Sequence, residues 1–314
     1  MTQQPTSRLA PSPTGALHLG NARTFLVNWA MARQRGWRLH MRIEDLDGPR
    51  IKAGAAAHMI DTLRWLGLDW DGNELVQSDD LTPYTDALRK LCSDGSTFRC
   101  ELSRTAISNA ASAPQEGAHE TAFAPTLRPN DAGEPFAFDD AKANIRFLVP
   151  EGTVSINDGF CGSSEHDVAA VPGDFVIWTR RGTPAYQLAV VVDDARQGVT
   201  DVVRGDDLLP SAARQLLLAR SLDLPAQNWW HLPLVLGEDG HRLAKRHGDT
   251  RIATYRELGV RPQRLLGLLA MWCGLTDQLE ELTITEVLDQ FDLDQMPRGP
   301  ITLTRKDDQW LRSE

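Results

Sequence analysis

Arg8-Leu9-Ala10-Pro11-Ser12-Pro13-Thr14-Gly15-Ala16-Leu17-His18-Leu19-Gly20-Asn21 sets a short strand, a Pro/Gly turn and a helix start in a row. Ser7 to Ala10 reads as the strand, and Pro11 and Pro13 end it because proline cannot donate to a sheet ladder. Ala22, Phe25, Leu26, Trp29 and Ala30 then recur at helical spacing, and the pattern stops before Gly36. With His18 and Gly20 at the junction, the arrangement suits a nucleotide phosphate resting on a helix N-terminus, where unpaired N–H groups point outward.

Working outward, Arg38 to Ile43 alternates as a second strand and delivers Glu44-Asp45-Leu46-Asp47 at its C-terminal end, where open α/β sheets place ligands. A helix is expected around Ala53 to Leu66. This strand-helix-strand-helix opening predicts an α/β, doubly wound (Rossmann-like) fold. From about Ser103 to Asp140 the chain turns rich in Ala, Ser, Pro and acidic residues with little periodicity, as in an irregular insertion. Order returns at Asp174 to Trp178. Leu188-Ala189-Val190-Val191-Val192 is a continuous apolar run, read here as a strand buried on both faces. Ser211 to Leu222 reads as a helix, Trp230 to Leu236 as a strand, and the region after Arg251 as helical, with Leu265, Leu266, Leu268, Leu269 and Trp272 as its apolar core. The stretch from Asp277 to Asp294 is acidic.

The 314 residues suffice for one such domain with an insertion and a small appendage. A formal net charge of -10 excludes a chain-wide electrostatic grip on nucleic acid, so any RNA contact must come from local basic surface. The four cysteines, Cys92, Cys100, Cys161 and Cys273, are too scattered for a disulfide framework, and a reducing cytoplasm fits best. The N-terminus, Met1 to Thr6, is short and polar, and no apolar run approaches the roughly 20 residues of a membrane span.

Far downstream, Arg242-Leu243-Ala244-Lys245-Arg246 offers a basic loop after Gly237-Glu238-Asp239-Gly240. Together with the first segment it resembles the HIGH and KMSKS signatures of class I aminoacyl-tRNA synthetases, and the sequence between them is similar to the glutamyl branch. Alone, each segment also reads as an ordinary capping turn or solvated surface turn. The resemblance implies a class I synthetase catalytic domain with a small C-terminal helical region and ATP as substrate, accompanied by Mg2+. It assigns catalysis to His18, Gly20 and Lys245, and ATP binding to His18, Gly20, Asn21 and Lys245. Attack of a carboxylate on the α-phosphorus builds negative charge on phosphate oxygens, so positioned donors matter more than a protein nucleophile. Asn21 departs from the histidine of the signature, and Arg242 and Ala244 depart from its lysine and serine.

Free glutamate presents one ammonium and two carboxylates, so its site needs an acidic group and at least one guanidinium. The resemblance carries such a set onto Arg8, Leu9, Ala10, Pro11, Ser12, Glu44, Tyr186 and Arg204. Arg8, Tyr186 and Arg204 face the carboxylates, Glu44 the ammonium, and Ser12 adds a supporting hydrogen bond. A structural ion pair for Glu44 and a surface salt bridge for Arg204 are the competing readings. The block from Tyr186 through Arg204 is the longest stretch of similarity.

Relatives often carry a Cys-x-Cys pair with a further cysteine before the insertion. Here Cys100-Glu101-Leu102 keeps one, and His119 and His166 are remote substitutes, so no metal site and no zinc are expected. Cys100 is instead read as a buried small apolar residue. Trp229, Trp230 and Trp272 are assigned to core packing over base stacking. The basic group Arg242, Lys245, Arg246, His247 and Arg251 is assigned to ATP, with Arg256, Arg261 and Arg264 as a solvated face by default.

The expected organisation is 1–100 for the first half of the catalytic domain, 101–173 for an insertion resembling an acceptor subdomain with a degenerate zinc module, 174–248 for the second half, and 249–314 for a helical stem-contact-like region. The chain stops where a full-length relative continues into an anticodon-binding domain. It is therefore most similar to the free-standing bodies of the branch that attach L-glutamate to the modified base queuosine in the anticodon of tRNA(Asp). Val190, where tRNA-charging relatives tend to have asparagine, points the same way. Ala10 to Gly15 differs from the Pro-Pro-Glu-Pro-Asn-Gly of the glutaminyl branch. Partners are then glutamate, ATP and tRNA(Asp) carrying queuosine, with a cytoplasmic monomer and no membrane. A truncated enzyme charging a tRNA 3′ end, a silent glutamate- or ATP-binding paralogue and a plain tRNA binder are the alternatives.

Overall fold

The computed structural model describes residues 4–48, 51–103, 105–107, 122–139, 143–241, 243 and 249–313. Strand β1 (Thr6–Leu9) passes through the proline turn into helix α1 (Leu19–Arg35), which returns to β2 (Arg38–Ile43), and α2 (Ala55–Trp65) leads on to β3 (Leu75–Val76). Helix α1 ends because Gly36 takes φ 64, a left-handed cap whose N–H closes on Ala32 and Arg33 carbonyls. Next come α3 (Thr82–Ser93), β4 (Thr97–Cys100), β5 (Asn144–Phe147), β6 (Val154–Asp158), β7 (Gly162–His166) and β8 (Phe175–Trp178). The second half holds α4 (Tyr186–Arg196), β9 (Asp201–Gly205), α5 (Leu209–Ser221), β10 (Asn228–Leu232) and β11 (Val235–Leu236). Helices α6 (Ile252–Glu257), α7 (Pro262–Trp272) and α8 (Ile284–Gln290), strand β12 (Ile301–Thr302) and helix α9 (Arg305–Arg312) complete the chain.

Strands β1, β2 and β3 pair in parallel in the order β1-β2-β3, and β9 pairs in parallel with β10, which pairs in parallel with β6. The two groups meet at β1 and the entry to β9. The Thr200 amide donates to the Thr6 carbonyl and the Thr6 amide to Thr200 Oγ1, both at 2.9 Å. Arg8 Nη1 reaches the Val203 carbonyl, so β1 and β9 run the same way. The spatial order β3-β2-β1-β9-β10 reverses its direction of growth between β1 and β9, the switch point at which doubly wound sheets open a ligand crevice. Strands β4, β5 and β8 form a separate antiparallel sheet, so the chain on both sides of the irregular segment is held together across it. Within that segment the described residues hold a short 3-10 turn at Pro125–Leu127 and a single bridge between Phe123 and Gly173.

One expected strand is a helix. Leu188 to Val192 lies inside α4, where every residue from Gln187 to Asp194 is buried. Covered on all sides, the helix shows no polar face, and a short buried run carries no periodicity that separates helix from strand. The expected strand Trp230 to Leu236 is split into β10 and β11 around Pro233, which lacks a ladder donor and whose carbonyl accepts from Arg23 Nη1 at 2.8 Å. Leu265, Leu266, Leu268, Leu269 and Trp272 on α7 join α1, β1 and β2 in one apolar core, tying the C-terminal helices to the sheet.

Candidate functional site

The site forms where β1, β2 and β9 end. Pro11 closes β1, and its carbonyl accepts the Glu44 amide at 3.0 Å, which sets Glu44 beside the proline turn. Ser12 is exposed, its hydroxyl 3.3 Å from Thr14 Oγ1. Next, His18 caps α1: the Asn21 amide donates to His18 Nδ1 at 3.4 Å and the His18 amide to Asn21 Oδ1 at 3.5 Å. Because Nδ1 accepts, the neutral ring carries its proton on Nε2, as a phosphate donor requires. The first turn of α1 holds no acidic residue, which leaves the positive end of the helix dipole uncancelled. Gly20 is packed under the imidazole. A Cβ there would lie 3.2 Å from His18 Cε1 and 3.5 Å from Val235 Cβ.

Arg8, Glu44, Tyr186 and Arg204 are brought together. Arg8 Nε lies 3.3 Å from Asp194 Oδ1, a carboxylate it shares with Arg42 Nη1 at 2.7 Å. Arg42 Nη2 in turn lies 3.2 Å from Glu44 Oε1. Glu44 thus makes the structural ion pair, and both contacts from Arg42 fall on Oε1. Burial raises the Glu44 carboxyl above its ordinary pKa against the pull of Arg42 and Arg8. Tyr186 keeps 40% of its surface exposed, yet burial of its hydroxyl raises its pKa, with the nearby Arg204 opposing and Glu44 reinforcing.

Arg204 is buried, and among the described residues no carboxylate pairs with it. Its Nε donates to His231 Nε2 at 2.9 Å, Nη1 to Gln215 Oε1 at 2.9 Å and Nη2 to the Leu208 carbonyl at 3.2 Å. Burial and the nearby Arg8 lower its pKa from the ordinary arginine value. The surface salt bridge considered for Arg204 is therefore not what this residue makes.

Arg42, Asp194, His231, Asp158 and Gln215 were not anticipated. Arg42 stands two residues before Glu44, on the same side of the extended chain, and that spacing was a usable signal. Asp193 and Asp194 sit side by side on α4 and divide. Asp194 goes to Arg8 and Arg42, while Asp193 accepts from Tyr84 and Gln77, each at 2.8 Å, and pairs with Arg196 at 3.1 Å. Lys245, together with Arg242, Ala244, Arg246 and His247, lies outside the described residues. Its flanks are placed: Leu19 N donates to the Thr250 carbonyl at 3.1 Å and Ile252 N to the Leu17 carbonyl at 2.9 Å, beside His18.

Cys100 is buried with Phe98, Ile107 and Phe123. Among the described residues no group of three or more His, Cys, Asp or Glu side chains is placed to hold a metal. His119 lies outside them, and His166 contacts Ser164 Oγ at 2.8 Å. Trp229 and Trp272 are buried in the core, and Trp230 packs against Trp37 under Arg35. Arg256 pairs with Asp61 and Arg261 with Glu281 at the surface, whereas Arg264 is largely covered, packed over Trp310. Among the described residues no helix is long and apolar enough to cross a membrane.

Residues 5–310 match the family described as tRNA synthetases class I (E and Q), catalytic domain. The chain belongs to this family. The chain is thus a ligase of the aminoacyl-tRNA synthetase type. It is 42% identical to the Glutamyl-Q tRNA(Asp) synthetase of Symbiobacterium thermophilum, covering 94% of this chain and 95% of that one. Against the protein of the same name from Rhodopirellula baltica it is again 42% identical, over 96% and 97%. It is 35% identical to the Glutamate--tRNA ligase of Oleidesulfovibrio alaskensis, covering 98% of this chain but 65% of that longer one. The fold is similar to the crystal structure of the glutamate-tRNA synthetase from Elizabethkingia anophelis, with a TM-score of 0.82 at 24% identity over 98% of this chain and 70% of that one.

Proposed function

We propose that this synthetase activates L-glutamate with ATP to glutamyl-adenylate and transfers the glutamyl group to queuosine in the anticodon of tRNA(Asp). The observation that carries the glutamate reading is Arg204, a buried cation whose partners, His231, Gln215 and the Leu208 carbonyl, are all neutral. A buried charge without a counter-charge is costly, and an anionic ligand repays that cost. Arg204, Arg8 and Tyr186 take the two substrate carboxylates, Glu44 Oε2 takes the ammonium, Ser12 adds a hydrogen bond, and the backbone of Leu9, Ala10 and Pro11 lines the crevice. ATP lies with its α-phosphate against His18, Gly20 and Asn21 at the start of α1. A glutamate carboxylate oxygen attacks the α-phosphorus, the bond to the bridging oxygen breaks, and pyrophosphate leaves with the electron pair. The Lys245 ammonium stabilises that leaving charge, and Mg2+ on the phosphates supplies further charge neutralisation.

The near end-to-end match at 42% identity to two glutamyl-Q enzymes supports queuosine as the acceptor over a tRNA 3′ end. In this reading residues 1–100 and 174–248 form the catalytic halves, 101–173 the insertion and 249–314 the stem-contact-like region, without bound zinc. One chain supplies every group named, so a cytoplasmic monomer suffices. The test is glutamylation of tRNA(Asp) with and without queuosine, alongside glutamate-dependent pyrophosphate exchange. Exchange without tRNA, and product only on the queuosine-bearing tRNA, are the expected results. Product at the 3′ end of an unmodified tRNA would establish a tRNA-charging enzyme instead, and absence of exchange a silent binder.

A further inference from the structure

Three neighbouring parallel strands place Asp158, His231 and Arg204 in line. His231 on β10 is the direct Cα partner of Arg204 on β9, and Trp229 on β10 is the partner of Asp158 at the end of β6. Asp158 is pinned by the turn into β7. Its Oδ1 accepts from the amides of Phe160 at 2.9 Å and Cys161 at 2.8 Å, and the His231 amide reaches both oxygens at 3.2 Å. Burial alone would raise this carboxyl, but the hydrogen bonds from His231 and these amides hold it below the ordinary value. His231 Nδ1 lies 2.6 Å from Asp158 Oδ2.

The chemistry of the partners fixes the proton. An ionised carboxylate only accepts and an arginine only donates, so His231 carries its proton on Nδ1 and offers a bare Nε2 to Arg204 Nε. A second proton would set N–H against N–H. Burial and Arg204 disfavour it, while Asp158 and Asp207 act the other way. The face of the Arg204 guanidinium lies 4.7 Å from the Trp229 ring centroid, which blocks the remaining rotation. A carboxylate in the place of His231 would hold Arg204 equally well but would cancel its charge. A neutral acceptor holds the guanidinium and leaves the charge for a ligand.

We propose that Asp158 and His231 are positioning residues that fix Arg204 for the substrate carboxylate while preserving its full positive charge, an inference that rests on the reading of Arg204 as a glutamate ligand. The arrangement is unlike an Asp-His pair activating a nucleophile, because the third member donates and gives up no proton.

The test is pyrophosphate exchange by the full-length chain with four variants. His231→Leu removes the acceptor and should raise the KM for glutamate by about tenfold or more, with kcat and the KM for ATP little changed. His231→Gln can present an amide oxygen to Arg204 and an N–H to Asp158, and should restore most of the loss. His231→Glu should lose glutamate binding at least as severely as His231→Leu. On an Arg204→Ala background, His231→Leu should add nothing to the glutamate KM. An Arg204→Ala enzyme with unchanged glutamate KM would overturn both the ligand reading and this inference. A raised KM in Arg204→Ala with an unchanged KM in His231→Leu would overturn the inference alone. Nitrogen NMR of the unsubstituted protein gives a measurement that no variant's folding affects. A neutral His231 protonated on Nδ1 is expected at neutral pH, and an imidazolium or an Nε2–H ring would overturn the assignment.

Discussion

The Leu19 amide donates to the Thr250 carbonyl at 3.1 Å, which ties the first turn of α1 to the chain just beyond the segment that contains Lys245. The reciprocal bond from Ile252 N to the Leu17 carbonyl makes this a two-point clasp around His18. On the other side of that segment, the Gly237 amide donates to the His241 carbonyl at 2.8 Å. Both ends of a short basic segment are therefore fixed, and one of them lies at the helix N-terminus where a triphosphate would rest.

Lys245→Ala follows from this clasp. If the ammonium acts on charge that develops only as pyrophosphate leaves, the activation rate should fall by about 10²–10³-fold, as when one preorganised transition-state donor is removed. The KM for glutamate should stay near its original value. Single-turnover adenylate formation measures the rate, and an unchanged rate would move the role to Arg242 or Arg246.

Much of this clasp's surroundings was legible in the sequence, and the reasons differ by residue. Helix α1 announced itself through Ala22, Phe25, Leu26, Trp29 and Ala30 at helical spacing and the Gly36 terminator, although Leu26 to Ala32 are buried without a break. Glu44 and Arg8 were singled out by the resemblance to glutamyl synthetases, and the structure joins them through Arg42 and Asp194. Helix α4 was misread because its apolar run has no wet face, and wetness is what periodicity measures. Asp158, His231 and Arg204 are remote in the chain and become neighbours only through the order β6-β10-β9, which no local pattern encodes. Asp194 was visible as an acidic residue, but its two arginine partners arrive from β1 and β2.

Gly20→Ala separates stability from function. Alanine is favoured over glycine in a helix by up to about 1 kcal/mol, so the folded state should be equally or more stable. The new methyl would press on His18 Cε1 and Nδ1, at 3.2 and 3.3 Å, and displace the ring from its cap. An unchanged or raised melting temperature with adenylate formation reduced by about tenfold is the expected pair of results. Equal activity would remove Gly20 from the catalytic set.

Glu44 gives a pH dependence whose sign can be worked out. Burial holds its pKa above the ordinary 4.5, and only the ionised form pairs with an ammonium. As pH falls through that raised value, Glu44 takes a proton and the KM for glutamate should rise, beginning at a higher pH than an unperturbed glutamate would give. Stability moves the other way. Between 4.5 and the raised value the folded state binds more protons than the unfolded chain, so this group's contribution to stability grows as pH falls through the window. Glu44→Gln should therefore weaken glutamate binding, flatten its pH profile and leave the melting temperature equal or higher. A steep acid limb retained in Glu44→Gln would assign the titration elsewhere.

The last prediction concerns metal. A closed structural zinc site takes four ligands, commonly sulfur or imidazole, and the segment around Cys100 offers Leu102 where a second thiolate would be needed. Cys100 itself is buried among Phe98, Ile107 and Phe123, which surround its sulfur with apolar side chains instead of further ligands. Strand β4 is held instead by its antiparallel pairing with β5, from Thr97 opposite Phe147 to Cys100 opposite Asn144. Treatment with a strong chelator should change neither the melting temperature nor, after Mg2+ is restored, the rate of pyrophosphate exchange. Elemental analysis should find no stoichiometric zinc, and Cys100→Ala should cost only the packing of one small buried side chain. One zinc per chain, lost together with stability on chelation, would mean that ligands from the insertion complete a site around Cys100.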